Sequence, residues 1–222
     1  MLDRARSFLA VSLLLVFAGC TEKKETKPVA PPADAPATVA KAEKVKRGGY
    51  LVGIGGCGDC HTPMTFDPAL GMPVPQMDRM LSGHPEGAPD PTGEPGKGDQ
   101  AVIGPTFTSF KLPFGTVYTA NLTPDAETGL GLWSEDDFIR AMRTGKHRGA
   151  EAGRPILPPM PWMNVAQASD EDLKAMFAFL QSIPAIKNAV PEPNVPPPVI
   201  AAIQSGYDKI AAQQKAAAPP KL

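Results

Sequence analysis

Cys57-Gly58-Asp59-Cys60-His61 has the pattern C-x-x-C-H, the attachment signature of a c-type haem. Two thiols from one short turn can add across the vinyl groups of a porphyrin and fix its edge. The next residue, His61, is then carried beneath the iron as an axial ligand. The motif occurs once in the chain, so the sequence predicts one covalently bound haem c held by Cys57, Cys60 and His61.

Working outward, Lys41 to about Ile54 reads as a helix that leads into the motif, with Tyr50, Leu51 and Ile54 at helical spacing. Gly48 and Gly49 are costly inside a helix, by about 1 kcal/mol each, and such glycines usually admit close approach by another element. The clearest helix starts after Ser169, an N-cap followed by Asp170, Glu171 and Asp172, which favour the positive end of the dipole. Leu173, Met176, Phe177 and Leu180 then share one face, and Pro184 stops the helix. A third helix runs from Ser134 to about Thr144, with Ser134 and Asp137 placed for a capping box and Gly145 past its end. Between the motif and that helix, Thr62 to Asp125 is crowded with Gly and Pro. This segment predicts loops, with a short hairpin around Thr116 to Asn121. A bound haem would supply apolar surface for so long a loop to cover.

The totals exclude several functions. The chain has 222 residues, 42% hydrophobic and 20% charged, and a formal net charge of −1, which suits one sizeable core. Near-zero charge gives no case for nucleic acid or for general attraction to anionic membranes. The three cysteines are Cys20, Cys57 and Cys60. With two in the motif, none remains for a structural disulfide, a four-cysteine zinc site or an iron–sulfur cluster within the chain.

Cys20 belongs to the N-terminal region. Arg4 and Arg6 precede an apolar run from Phe8 to Phe17, too short as a helix to span a hydrocarbon core of ~30 Å and suited to a signal peptide. The run closes on Phe17-Ala18-Gly19-Cys20, which resembles the lipobox of bacterial lipoproteins, with Cys20 the lipidated residue. The plainer alternative is an ordinary signal peptide cut nearby, with Cys20 a free thiol. The expected organisation is a signal segment over 1–19, a Pro/Ala-rich tether over 20–40, a folded domain over 41–190 and a Pro-rich tail with a short helix over 191–222. The tether in polyproline II would reach about 60 Å. The chain is thus expected to be exported and lipid-anchored to a bacterial membrane, facing the periplasm.

Further stretches carry a family resemblance. They are Gly48-Gly49-Tyr50-Leu51-Val52, Asn121-Leu122-Thr123-Pro124-Asp125, Trp133-Ser134-Glu135-Asp136-Asp137-Phe138 and Arg140-Ala141-Met142-Arg143-Thr144-Gly145. Gly153-Arg154-Pro155-Ile156-Leu157-Pro158-Pro159-Met160-Pro161-Trp162 and Ser169-Asp170-Glu171-Asp172-Leu173 complete them. Together with C-x-x-C-H they resemble class I-type cytochromes c, and more closely those related to the haem subunits of bacterial membrane alcohol and sugar dehydrogenases. The resemblance covers roughly Lys41 to Pro193. It implies an all-α, cytochrome c-like helical domain around one covalent haem, with long Gly/Pro-rich loops. It also implies that the helix before the haem motif crosses the C-terminal one, Gly49 giving clearance while Tyr50 and Phe177 supply bulk.

A second axial ligand is needed for six-coordinate iron. Of nine methionines, Met142 and Met176 lie on apolar helix faces and read as core filler. Met64, Met72, Met77 and Met80 fall in loops soon after the motif. Met160 differs, because Pro158, Pro159 and Pro161 prevent helix and favour extended backbone. The family's distal methionine maps to Met160, with Met163 the next candidate. His84 and His147 are expected to be solvated or bonded to loop carbonyls. Arg140, Arg143, Lys146, Arg148 and Arg154 form a basic cluster that reads as a solvated face, a propionate-pairing set or a docking patch.

The favoured function is a one-electron carrier, not an enzyme, exchanging electrons with a dehydrogenase, an oxidase or another cytochrome. The alternatives are a haem enzyme or gas sensor with an open coordination site, and an assembly or structural haem lipoprotein. The tail, with Val199, Ile200, Ile203, Tyr207 and Ile210, reads as a short amphipathic helix packed on its own domain or docked on a partner.

Overall fold

The first helix, α1 (Ala37–Ile54), begins earlier than expected and ends where the sequence indicates. The computed structural model describes residues 37–94 and 100–217. The expected signal segment, Cys20 and the tether up to residue 36 lie outside the described residues. At the end of α1, the Gly55 N–H bonds the Leu51 carbonyl at 2.9 Å. Gly56 then turns into the left-handed region at φ 63°, where a side chain would be strained. The chain re-enters at once as the single-turn helix α2 (Cys57–His61).

Further on, α3 (Glu135–Thr144) starts on the reciprocal Ser134–Asp137 capping box and stops at Gly145 with φ 64°. A short α4 (Trp162–Val165) precedes α5 (Asp170–Leu180), where the Ser169 hydroxyl accepts the Asp172 N–H at 3.1 Å. The last helix, α6 (Pro197–Ala217), is longer than the short helix expected there.

The helices pack as their apolar stripes require. α1 crosses α5, and Val52, Phe138, Leu173, Met176, Phe177 and Leu180 form the main core with Leu81 and Leu130 from loops. Burying each such large side chain contributes roughly 1.5–3 kcal/mol. The crossing corrects the expected division of labour. Gly48 marks the tightest approach: a Cβ there would overlap the Ala175 carbonyl oxygen, whereas at Gly49 it would meet the Phe179 ring at 3.1 Å. Tyr50 is 58% exposed and supplies no bulk to the crossing; Phe177 does, with its ring 5.4 Å from that of Phe138.

The all-α expectation is overturned. Among the described residues, five short strands form two antiparallel sheets. β1 (Met64–Asp67) pairs with β2 (Met72–Pro75); β3 (Val102–Ile103), β4 (Ser109–Leu112) and β5 (Gly115–Tyr118) form a three-stranded sheet in that order. The Asp67 carboxylate accepts the Ala69 N–H at 2.8 Å and Gly71 sits at φ 68°, closing the first hairpin. Pro73 and Pro75 weaken the strand signal of β2, yet a two-stranded sheet has only edges, where proline is tolerated. The second hairpin turns through Pro113-Phe114, upstream of the hairpin expected at Thr116 to Asn121.

That sheet anchors a second core. Val117, Leu157 and Val195 are buried together, with Phe110, Leu112, Val199, Ile200 and Ile203 against them. Asn194 exchanges backbone hydrogen bonds with Thr116 at 3.0 and 2.9 Å, tying the segment before α6 to the edge of β5. The tail therefore packs on its own domain.

Candidate haem site

The helical turn of α2 carries Cys57 and Cys60 three residues apart, on one side of the turn. Both are free and half-buried. Burial pushes both thiols above the usual range, and the Asp59 charge adds to it. Neither thiol is shifted downward in the way of the acidic thiol of a C-x-x-C redox centre. Among the described residues, no group of three or more His, Cys, Asp and Glu could hold a metal by itself.

His61 ends the turn, buried at 7% exposure, with Nδ1 2.8 Å from the Ala120 carbonyl. A carbonyl can only accept, so Nδ1 carries the proton and Nε2 keeps its lone pair. A ligating imidazole is ordinarily held this way, with the bond at one nitrogen setting the donor capacity of the other. Burial lowers the basicity of the ring and the Ala120 bond opposes that.

Ala120 is itself held firmly. Gly83 N–H bonds the His61 carbonyl at 2.8 Å, His84 N–H bonds Thr119 at 3.0 Å, and Leu122 N–H bonds Leu81 at 2.9 Å. Gly83, at φ 77°, leaves no room for a Cβ against Thr119 and Ala120. Buried Asn188 donates to the Ser82 and His84 carbonyls at 2.7 and 2.8 Å and accepts from Glu86 N–H and Arg79. Asn121 donates to the Ile186 carbonyl at 2.8 Å and accepts from Thr123.

Met160 comes from a separate module fastened to the end of α3. Ile156 N–H bonds the Gly145 carbonyl at 2.7 Å and His147 N–H bonds Arg154 at 3.0 Å. Leu157 is buried, and Met160 N–H reaches the Leu157 carbonyl at 3.3 Å. The prolines thus form a turn, with a cis Pro158–Pro159 bond, in place of the extended backbone expected. Met160 is half-buried; Met163, also half-buried, lies in α4. Met142 and Met176 contribute to the core, as filler residues should, while Met72 and Met77 are exposed. A cleft of about 250 Å³ behind α2, lined by Gly53, Gly58, Met80 and Phe179, contains none of the candidate ligands.

Two thiols and a buried imidazole with Nε2 available on α2, and a thioether on a separate fastened turn, are the donor types that a covalent haem takes. Comparisons with known proteins find cytochrome c subunits. The chain is 32% identical over 156 residues to the gluconate 2-dehydrogenase cytochrome c subunit of Pantoea cypripedii, covering 70% of this chain and 27% of that protein. It is 29% identical over 135 residues to the cytochrome c subunit of the quinone alcohol dehydrogenase of Gluconobacter oxydans, covering 61% and 20%. A diheme cytochrome c-type protein of Cereibacter sphaeroides is 25% identical over 179 residues, covering 81% and 49%. The chain is cytochrome c-like. It spans about a quarter of the length of the first dehydrogenase subunit and half of the diheme protein. No family model matches it.

The rest of this cytochrome-like chain differs from expectation at one histidine. His84 is fully buried: Nδ1 meets the Thr108 hydroxyl at 2.9 Å and its ring lies 4.9 Å from Tyr118. Burial lowers its basicity. Burial, with the Asp90 carboxylate that accepts the Tyr118 hydroxyl at 2.6 Å, pushes Tyr118 up to about 12. His147 is exposed, as expected, with its ring edge-on to Trp133.

The basic cluster is spent largely on the chain's own frame. Arg140 pairs with Asp137, and Arg143 with Asp170 and the Ala166 and Ala168 carbonyls. Lys146 donates to the Glu151 backbone carbonyl, and Arg148 to the Leu132 carbonyl while lying over Trp133. Arg154 lies 3.8 Å from Glu192.

Sequence reasoning missed the acceptor for His61 and the asparagines that hold it. Asn121-Leu122-Thr123-Pro124-Asp125 has the composition of side-chain-stabilised turns, which could have flagged Asn121. Nothing local marks Asn188, whose partners are about a hundred residues away.

Proposed function

We propose that this chain is a one-electron carrier with one haem c joined to Cys57 and Cys60 and bound axially by His61 and Met160. The observation that carries the reading is the buried His61 ring, tied through Nδ1 to Ala120 with Nε2 left to donate. The haem, when bound, supplies an iron that cycles between Fe(III) and Fe(II).

The chain's own residues do the rest. Ala120 fixes the imidazole tautomer and orientation. Met160 would be the second residue to hold the iron, and a thioether there would raise the reduction potential relative to a second nitrogen ligand. Held by both residues, the group would serve electron transfer and not substrate binding. The relatives are cytochrome c subunits of gluconate and alcohol dehydrogenases, which supports a dehydrogenase as electron donor here. The reading includes export and a lipid anchor at Cys20; no helix among the described residues is long and apolar enough to cross a membrane.

Met160→Ala tests the axial assignment. The ferrous variant should bind carbon monoxide far more tightly than the parent protein, and its reduction potential should fall. An unchanged potential with no carbon monoxide binding would move the ligand elsewhere. Cys20→Ser should release the protein from membranes; continued retention would discredit the lipid anchor.

A further inference from the structure

Both flanks of the Met160 turn rest on the C-terminal segment. Three residues before Met160, Leu157 is buried with Val195 and against Val199, Ile200 and Ile203, the last three on α6. Two residues after Met160, Trp162 is 6% exposed and meets the Tyr207 ring of α6 edge-on, with centroids 5.3 Å apart and planes at 85°. The buried Trp162 Nε1 makes no hydrogen bond of full geometry among the described residues, but its N–H faces the Tyr207 hydroxyl closely enough to oppose the effect of burial on that group, so the indole is placed by packing on Tyr207 together with this polar contact. The indole also lies against Gly145, where a Cβ would overlap the ring. The base of α6 is in turn fixed to β5 through Asn194 and Thr116.

We propose that α6 is a brace for the axial-methionine turn, and that Tyr207 is a positioning residue acting on Met160 through Trp162. This rests on the proposal that Met160 binds the iron. A half-buried thioether on a turn without helical hydrogen bonds has little to hold it but its neighbours. With the indole packed against both Gly145 and Tyr207, and Leu157 buried against α6, the turn has few alternative arrangements. Releasing either clamp enlarges the fraction of molecules in which Met160 is off the metal. The apparent affinity of any small ligand for that position rises in proportion to the open fraction.

The test compares Tyr207→Ala, Tyr207→Phe, Ile203→Ala and Met160→Ala as mature holoprotein. The readouts are ferrous carbon monoxide affinity, reduction potential and far-ultraviolet circular dichroism. Tyr207→Ala and Ile203→Ala should each raise carbon monoxide affinity by about tenfold or more, the result of a tenfold larger open fraction. Their potentials should move toward that of Met160→Ala, with helical content kept. Tyr207→Phe retains the edge-on ring and loses only the hydroxyl that faces Trp162, so its affinity and potential should lie much closer to the parent than those of Tyr207→Ala. Parent-like affinity and potential in both brace variants, alongside a Met160→Ala that changes both, would overturn the brace and leave the ligand assignment standing. A Met160→Ala that changes neither would overturn both.

Discussion

Ala120 offers no side-chain chemistry, yet its carbonyl decides which nitrogen of His61 is free. That carbonyl depends on Gly83, whose positive φ and lack of Cβ let residues 81–84 lie against 119–122. Gly83→Ala should therefore cost about 1–3 kcal/mol through overpacking in a left-handed conformation, read from urea midpoints at constant m-value. His84 adds a pH term. Burial holds its folded-state basicity below the ordinary histidine value, so the unfolded chain binds more protons as pH drops. Its contribution is fully present above about pH 6.5 and is lost as pH falls through the depressed folded value, with a slope of up to about 1.4 kcal/mol per pH unit. His84→Gln should flatten the stability profile below neutrality; an unchanged slope would assign the dependence to other groups. At this scale the sequence offers the candidate chemistry and not its support. Cys57, Cys60 and His61 stand out as candidates because a haem-attachment signature is a local spacing. Asn188 was not, because its partners are brought together by the tertiary fold.

Among the elements, the α1–α5 crossing is set by one glycine. Gly48→Ala places a methyl against the Ala175 carbonyl oxygen and should destabilise by about 1–3 kcal/mol or more. Gly53, in the same helix, has open space where a Cβ would sit; Gly53→Ala should stabilise by about 0.5–1 kcal/mol. Opposite signs for the two in thermal or urea unfolding would confirm close approach at Gly48, and equal effects would deny it. Ser134→Ala should cost about 1 kcal/mol by removing the N-cap of α3. Helices were legible because caps and apolar stripes are local signals: Ser134 and Ser169 start α3 and α5 where the sequence predicts. The strands were not. They are at most four residues long, and β2 holds two prolines that only an edge strand admits. Positive φ at Gly71 and Gly115 shapes the hairpin turns, yet in a segment crowded with glycine such residues do not stand out.

As a whole, the molecule joins two packed regions with separate tasks. The helical core places α2 and, with it, the thiols and His61. The small core beneath the sheet places the Met160 turn and holds the tail. Leu173, fully buried at the centre of the first, should cost about 2–5 kcal/mol when truncated to alanine. The division explains why resemblance led to an all-α expectation: the motifs quoted for it lie mostly on helices or beside them, while the sheet belongs to the intervening loop. On the proposed reading, a covalent haem would give both regions one purpose. The most direct measurement is acid–acetone extraction of the mature protein, made in a host that matures c-type cytochromes, followed by a reduced-minus-oxidised spectrum. The haem spectrum should stay with the chain, one haem per polypeptide, and be lost when Cys57 and Cys60 are both changed to serine. A colourless chain with both thiols free to react would contradict haem attachment at this site.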